Sequence, residues 1–248
     1  MKNSASRAAP RIFAPLDFAP GAEIRLPDRA SHHLTVLRLH RGDSVTLFNG
    51  QGGEFTAELV RVSAGQAWAR ILTSHKLERE SPLSVALAQC VSSGDRMDTT
   101  LQKSTELGVS RIIPIASERS LVRLSGDRAE KRVAHWRNIV IAACEQCGRN
   151  HVPEVACITD IETFLDALEP GGGLRLLLAP EAGQTLRQLP RPERVVLLVG
   201  PEGGLTQRER VRAERAGYVP VRFGPRVLRT ETAPLAAIAA MQALWGDC

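Results

Sequence analysis

The stretch VVLLVGPEGGLT at residues 195–206 constrains the fold more than any other part of the chain. Five consecutive apolar residues, 195–199, predict a strand covered on both faces, as inside a parallel sheet. The run breaks at Gly200-Pro201-Glu202-Gly203-Gly204. Thr206 followed three residues later by Glu209 predicts a capping box and a helix start. A strand, a glycine turn and a helix N-terminus in succession bring backbone N–H groups to the carboxyl end of a strand. Open α/β sheets bind ligands there. The turn is neither a dinucleotide fingerprint nor a phosphate-binding P-loop.

Two partial echoes flank it. LLLAPEAG at 176–183 and VRFGPR at 221–226 each join an apolar run to a proline turn. Three such turns on neighbouring parallel strands line one pocket; three ordinary strand exits that use proline remain the alternative.

Net charge is +5 and the pI about 9.3, which suits a nucleic-acid partner without requiring one. Residues 1–74 carry nine Lys and Arg against six Asp and Glu. Residues 1–9 are polar and no run reaches membrane-spanning length, so a cytoplasmic protein with no membrane partner is expected. Five cysteines, an odd count, fit a reducing compartment. Cys144 and Cys147 form a C-x-x-C near His151, but no second pair follows and the pattern around them is helical, so no metal is expected.

Residues 1–10 read as a loose tail. Short strands are predicted from Arg11, over 24–26, 45–48, 54–62 and 68–72, with a helix over 31–39 and a hairpin turn at Asn49-Gly50. These make a β-rich module over 1–74. Residues 75–82, charged and carrying Pro82, read as a linker. Over 83–248 strands alternate with helices, as in an α/β domain with a mostly parallel sheet. Strands are predicted over 83–88 and 111–116. Helices are predicted from an Asp95 cap to Leu107, over 129–147, from an Asp160 cap to Leu168, and over 232–245.

The residues LVGPEGGLT at 198–206, followed by LRTETA at 228–233, resemble the two signature blocks of the ribosomal RNA small-subunit methyltransferase E family, in the SPOUT superfamily. His32 with VLR at 36–38, QKSTELGV at 102–109, SERS at 117–120 and AACEQCGR at 142–149 resemble further blocks in the same order. The resemblance implies methylation of N3 of a uridine in 16S ribosomal RNA, in the small ribosomal subunit, with S-adenosylmethionine as donor. It implies a PUA-like RNA-binding barrel over 1–74 and a SPOUT-type sheet with a C-terminal trefoil knot over 83–248. It also implies a homodimer in which both subunits contribute to each site; the apolar pattern of 232–245 fits that, or packing on the chain's own sheet.

Methyl transfer from a sulfonium needs in-line positioning, not a metal or an enzyme nucleophile. The candidate cofactor residues are Leu178, Ala179, Pro180 and Glu181 of the first turn, and Leu198, Val199, Gly200, Pro201, Glu202, Gly203 and Gly204 of the second. Gly224, Val227, Leu228, Thr230 and Ala233 complete them. Gly203 and Gly204 permit close approach, while Leu198, Val227 and Leu228 wall an apolar slot. Glu202 or Glu231 suits a cationic ligand; the alternatives are helix N-terminal charge complementation and surface solvation, and for Glu202 that plainer role is favoured. N3 attack builds negative charge on the uracil carbonyls, which Arg229 can stabilise while Glu231 accepts the proton; Arg229 as a phosphate contact is the alternative. Candidate RNA contacts are Arg11, His32, Arg38, Arg41, Lys103, Arg119 and Arg149, with Lys103 also placed to pair with Glu106. A binding module without catalysis, or an α/β enzyme using another nucleotide, remain the competing functions.

Overall fold

A computed structural model describes residues 9–63, 65–120, 126–168 and 171–248. The first eight residues of the expected tail lie outside them. The chain forms two compact units, residues 1–80 with 144–152, and residues 81–143 with 153–248.

The first unit contains β1 (Arg11–Phe13), β2 (Glu23–Arg25), α1 (Asp28–Val36), β3 (Ser44–Phe48), β4 (Glu54–Ser63) and β5 (Gln66–His75). The sheet order is β1-β3-β4-β5-β2; β1 runs parallel to β3 and the other pairings are antiparallel. Alternate strand residues, among them Ile12, Val45, Leu47, Ala57, Leu59, Ala69 and Ile71, meet Leu34 of α1 in one core. Helix α1 begins three residues before the predicted Ser31, because Pro27 sets the extended entry and Asp28 complements the first turn. It also ends sooner: Arg38 sits beyond it in the left-handed region, φ 57°.

The segment 144–152 belongs to this unit although it lies far along the chain. Glu145 accepts from the Phe13 N–H at 3.0 Å and pairs with Arg29 and His33. Arg11 donates to the Asn150 side chain at 2.6 Å and pairs with Glu54. Arg149, its side chain 5% exposed, pairs with Glu80.

The second unit contains β6 (Ser84–Cys90), α2 (Asp95–Glu106), β7 (Val109–Ala116), α3 (Asp127–Cys147), whose last four residues fall in the first unit, β8 (Glu154–Val155), β9 (Thr159–Asp160) and α4 (Ile161–Asp166). There follow β10 (Leu174–Leu178), β11 (Arg194–Val199), α5 (Gln207–Arg215), β12 (Val219–Val221) and α6 (Thr232–Trp245). The sheet is parallel throughout in the order β12-β10-β11-β6-β7-β8, with β9 also on β7. The run 195–199 becomes β11, inside the sheet between β10 and β6. Asp160 caps α4 through the Thr163 N–H at 2.8 Å. Asp95 does not cap α2: Gly94 holds that position and Asp95 lies in the first turn, where its charge suits the helix dipole. Helix α6 buries Ala237, Ile238, Met241 and Trp245 within its own unit, while Leu244 is 43% exposed.

Candidate active site

In a parallel sheet all strands end on the same side, so the exits of β10, β11 and β12 share one rim. They frame a cavity of about 620 Å³. The first turn contributes Leu177, Leu178, Ala179, Pro180 and Glu181, and the second Val199 to Leu205. The third contributes Val221, Arg222, Phe223 and Arg226 to Arg229, and the start of α6 adds Thr230, Glu231 and Ala233. Arg96 of α2 and Arg210 of α5 complete the described lining.

Local rules explain the shape of the second turn. The Gly204 N–H closes it on the Pro201 carbonyl at 2.8 Å, and Gly204 takes φ 66°. A Cβ on Gly200 would lie 3.1 Å from the Leu205 nitrogen, closer than an ordinary contact, so a side chain there would push the folded-back backbone aside. The capping box forms as predicted: Thr206 accepts from the Glu209 N–H, and the Glu209 carboxylate accepts from the Thr206 N–H at 2.7 Å. Thr230, 8% exposed, donates its hydroxyl to the Gly200 carbonyl at 3.0 Å and so fastens the third turn to the second.

Electrostatics concentrate at Glu202. Its Oε1 accepts from the Ser93 N–H, the Ser93 hydroxyl and Arg96, at 3.0, 3.0 and 2.9 Å. Burial opposes its ionisation, yet these hydrogen bonds prevail and hold its pKa below the ordinary value. The Nε of Arg96 also lies 3.9 Å from a Glu231 oxygen. Arg210 pairs with Glu181 across the mouth.

Two predicted cofactor residues stand apart from the cavity. Leu198 is outside the described lining and packs in the apolar core with Ala88 and Ile115, beside Leu177 and Leu205 of the wall. Gly224 is exposed and outside the described lining. The other fourteen predicted cofactor residues, with Arg229 and Glu231, line it. Motif reading missed Arg96, Leu177, Leu205, Arg210, Val221, Arg222, Phe223 and Arg226. Most of these adjoin a turn already singled out, and Arg210 follows the cap residue Thr206 by one helical turn. Arg96 carries no such signal.

The predicted RNA contacts divide. His32, Arg38 and Arg41 are exposed on the first unit. Arg11 and Arg149 are turned inward into ion pairs there, engaged away from solvent. In the second unit Lys103 pairs with Glu106 at 2.8 Å, and exposed Arg119 donates to the Gly203 carbonyl at 3.0 Å. Burial pushes the Cys144 thiol up to about 12. Among the described residues no cluster of three metal-ligating side chains occurs, and no helix is long and apolar enough to cross a membrane.

Comparison with known proteins accounts for both units. The family model described as an RNA methyltransferase domain matches residues 79–242, and that of an RNA methyltransferase PUA domain matches residues 26–72. The chain is 34% identical over 240 residues to the ribosomal RNA small subunit methyltransferase E of Buchnera aphidicola, covering 96% of this chain and 97% of the relative. It is 31% identical over 222 residues to that of Bacillus subtilis, covering 86% and 87%. The solved Neisseria gonorrhoeae ribosomal RNA small subunit methyltransferase E, bound to S-adenosyl methionine, superimposes with a TM-score of 0.91 at 47% identity, over 96% of this chain and 99% of that one. A Legionella pneumophila protein solved with the cofactor SAM gives 0.93 at 41% identity, over 97% and 99%. With both of its units matched and its turns gathered on one rim, the chain belongs to the ribosomal RNA small subunit methyltransferase E family.

Proposed function

We propose that the chain is an S-adenosylmethionine-dependent methyltransferase that methylates N3 of a specific uridine in 16S ribosomal RNA, within the assembled small subunit. The observation that carries this reading is the single cavity built from all three proline turns at the carboxyl ends of β10, β11 and β12. A pure RNA-binding module has no use for a small-molecule slot.

The lining fits a cationic nucleoside. Leu178, Val199 and Leu228 offer apolar wall, and the glycine turn lets backbone approach closely. One oxygen each of Glu202 and Glu231 is buried without a hydrogen-bond partner among the described residues, that of Glu231 facing the Arg96 Nε at 3.9 Å, so the site carries two carboxylates. When bound, S-adenosylmethionine supplies a methyl carbon activated by positively charged sulfur. The chain's own residues do the rest. Arg229 directs guanidinium N–H donors at the uracil carbonyl oxygens, where negative charge develops as N3 is deprotonated. Glu231 takes the N3 proton. The walls exclude water and hold the reacting atoms in line.

His32, Arg38 and Arg41 on the first unit, with Lys103 and Arg119 on the second, contact RNA phosphates. Arg38 supports this: a non-glycine residue held at φ 57° costs free energy, and such strain collects at functional positions. The trefoil knot is part of the proposal, supported by the return of the chain through β12, Thr230 and α6 beside the second turn. A homodimer is likewise proposed, supported by the exposed Leu244 on α6, and a cytoplasmic site of action follows from a ribosomal substrate.

The test is to incubate the purified chain and S-adenosylmethionine with small subunits lacking the modification, or with naked 16S RNA. Methylation at N3 blocks Watson–Crick pairing, so reverse transcription stops at the product. One new stop, on assembled subunits only, is the expected result. No stop, or methyl placed on ribose or carbon, overturns the reading.

A further inference from the structure

The Gly203–Gly204 peptide closes the second turn, and neither residue has a Cβ to restrict how its plane rotates. Two hydrogen bonds fix that plane, one at each end. The Gly204 N–H donates to the Pro201 carbonyl at 2.8 Å. The Gly203 carbonyl accepts from Nη1 of Arg119 at 3.0 Å. The first bond is internal to the turn; the second reaches it from 84 residues away. Arg119 is outside the described lining of the cavity, while Gly203 and Gly204 belong to it.

Arg119 is itself firmly seated. It lies in the turn 117–120 after β7, closed by the Ser120 N–H on the Ser117 carbonyl at 3.1 Å and by the two serine hydroxyls at 2.9 Å. The adjacent Glu118 N–H donates to buried Glu209 at 2.8 Å, and the other oxygen of Glu209 takes the Thr206 N–H at the start of α5. A Cβ on Gly203 would lie 3.5 Å from Cβ and 3.6 Å from Cδ of Arg119, so the aliphatic stem runs along the glycine. Yet Arg119 is exposed, and its guanidinium makes a single hydrogen bond among the described residues. The donors left over form the planar fork that matches a phosphate. One side chain thus grips a cavity-lining peptide and offers a free edge to RNA.

We propose that Arg119 is a positioning residue that couples RNA binding to the cofactor turn. A backbone phosphate on its remaining donors immobilises the guanidinium, the Gly203–Gly204 peptide stiffens, and the cofactor binds more tightly. This rests on the reading above, in which Arg119 meets RNA and the cavity takes S-adenosylmethionine. The origin of the gain is order: what the first ligand has already fixed, the second need not. By linkage the cofactor tightens RNA by the same factor.

The experiment is equilibrium dialysis of labelled S-adenosylhomocysteine, with and without saturating small subunits that lack the modification. The unaltered chain binds it about fivefold or more tighter when the subunits are present. Arg119→Ala stays within about threefold of the unaltered affinity without subunits, which also shows that it is folded, and loses the gain. Arg119→Lys keeps the charge and recovers most of the subunit affinity, but it lacks the fork that holds carbonyl and phosphate together, so the gain stays lost. A gain that survives in either variant overturns the inference. So does an Arg119→Ala variant that weakens S-adenosylhomocysteine equally with and without subunits, which makes the residue a plain support of the turn. An unaltered chain that binds both ligands independently overturns the coupling and leaves the cofactor reading standing. One that does not bind S-adenosylhomocysteine at all overturns that reading, and this inference with it.

Discussion

Thr230 offers a direct test of whether the three turns act as one site. Its hydroxyl donates to the Gly200 carbonyl at 3.0 Å and receives a longer contact of 3.4 Å from the Gln89 side chain. Thr230→Val keeps the shape and removes the hydroxyl. Gln89 retains its bond to the Cys90 carbonyl at 3.0 Å, so the principal loss is the donor to Gly200. A net hydrogen bond of about 1 kcal/mol plus partial exposure of an unmet carbonyl gives about 1.5 kcal/mol. For a chain of this size that is a fall in Tm of roughly 3–6 °C. The same loss frees the third turn from the second, and a ligand that bridges them must restore the order. Affinity for S-adenosylhomocysteine therefore falls by up to about tenfold, the equivalent of 1.4 kcal/mol. Thermal unfolding by circular dichroism and calorimetric titration measure the two effects. Thr230→Ser, which keeps the hydroxyl, recovers most of both. If Thr230→Val matches the unaltered chain in Tm and affinity, or if Thr230→Ser is as damaged as Thr230→Val, the hydroxyl does not couple the turns.

Other consequences are as readily checked. Arg229→Ala lowers the single-turnover methylation rate by about a hundredfold or more while cofactor affinity changes far less, and Arg229→Lys recovers only part; a lower RNA affinity with an unchanged rate at saturating RNA makes it a phosphate contact instead. Gly203→Val folds normally, because a Cβ there meets only Arg119 at ordinary distances of 3.5 and 3.6 Å, but it fills cavity space and abolishes cofactor binding by calorimetry; wild-type affinity in the variant refutes this. Arg38→Gly relieves left-handed strain and stabilises the first unit by about 1 kcal/mol in denaturant unfolding, yet weakens RNA binding; a destabilised variant contradicts the strain argument. Burial opposes ionisation of Glu54, but Arg11 and Arg79 prevail and lower its pKa below the ordinary 4.5. Its contribution to stability is therefore complete above about pH 4.5 and is lost as pH falls through the lowered value, so Glu54→Gln flattens the acid limb of the unfolding curve; an unchanged limb counts against the pairing.

What the chain reveals unaided follows from interactions that act over a few residues. The apolar run at 195–199 reads as a covered strand, and it is β11 inside the sheet. The Thr206 and Glu209 pair is a local exchange of hydrogen bonds, so the start of α5 is legible to the residue. The proline turns mark the rim because they close strands that end alike. Three features were decided elsewhere. Arg96 lines the cavity only because β6 lies beside β11 and carries α2 to the glycine turn, a parallel pairing across more than a hundred residues that no local pattern encodes. Arg11 and Arg149 look like solvent-seeking cations in sequence, but their guanidiniums face carboxylates contributed by β4 and by Glu80 once segment 144–152 joins the first unit. Leu198 and Val199 are equally apolar neighbours, and only the pleat of β11 within the folded sheet sends one to the core and the other to the cavity. Local chemistry sets which elements form and how they end; long-range strand pairing, which joins residues with no sequence relation, sets which charges meet.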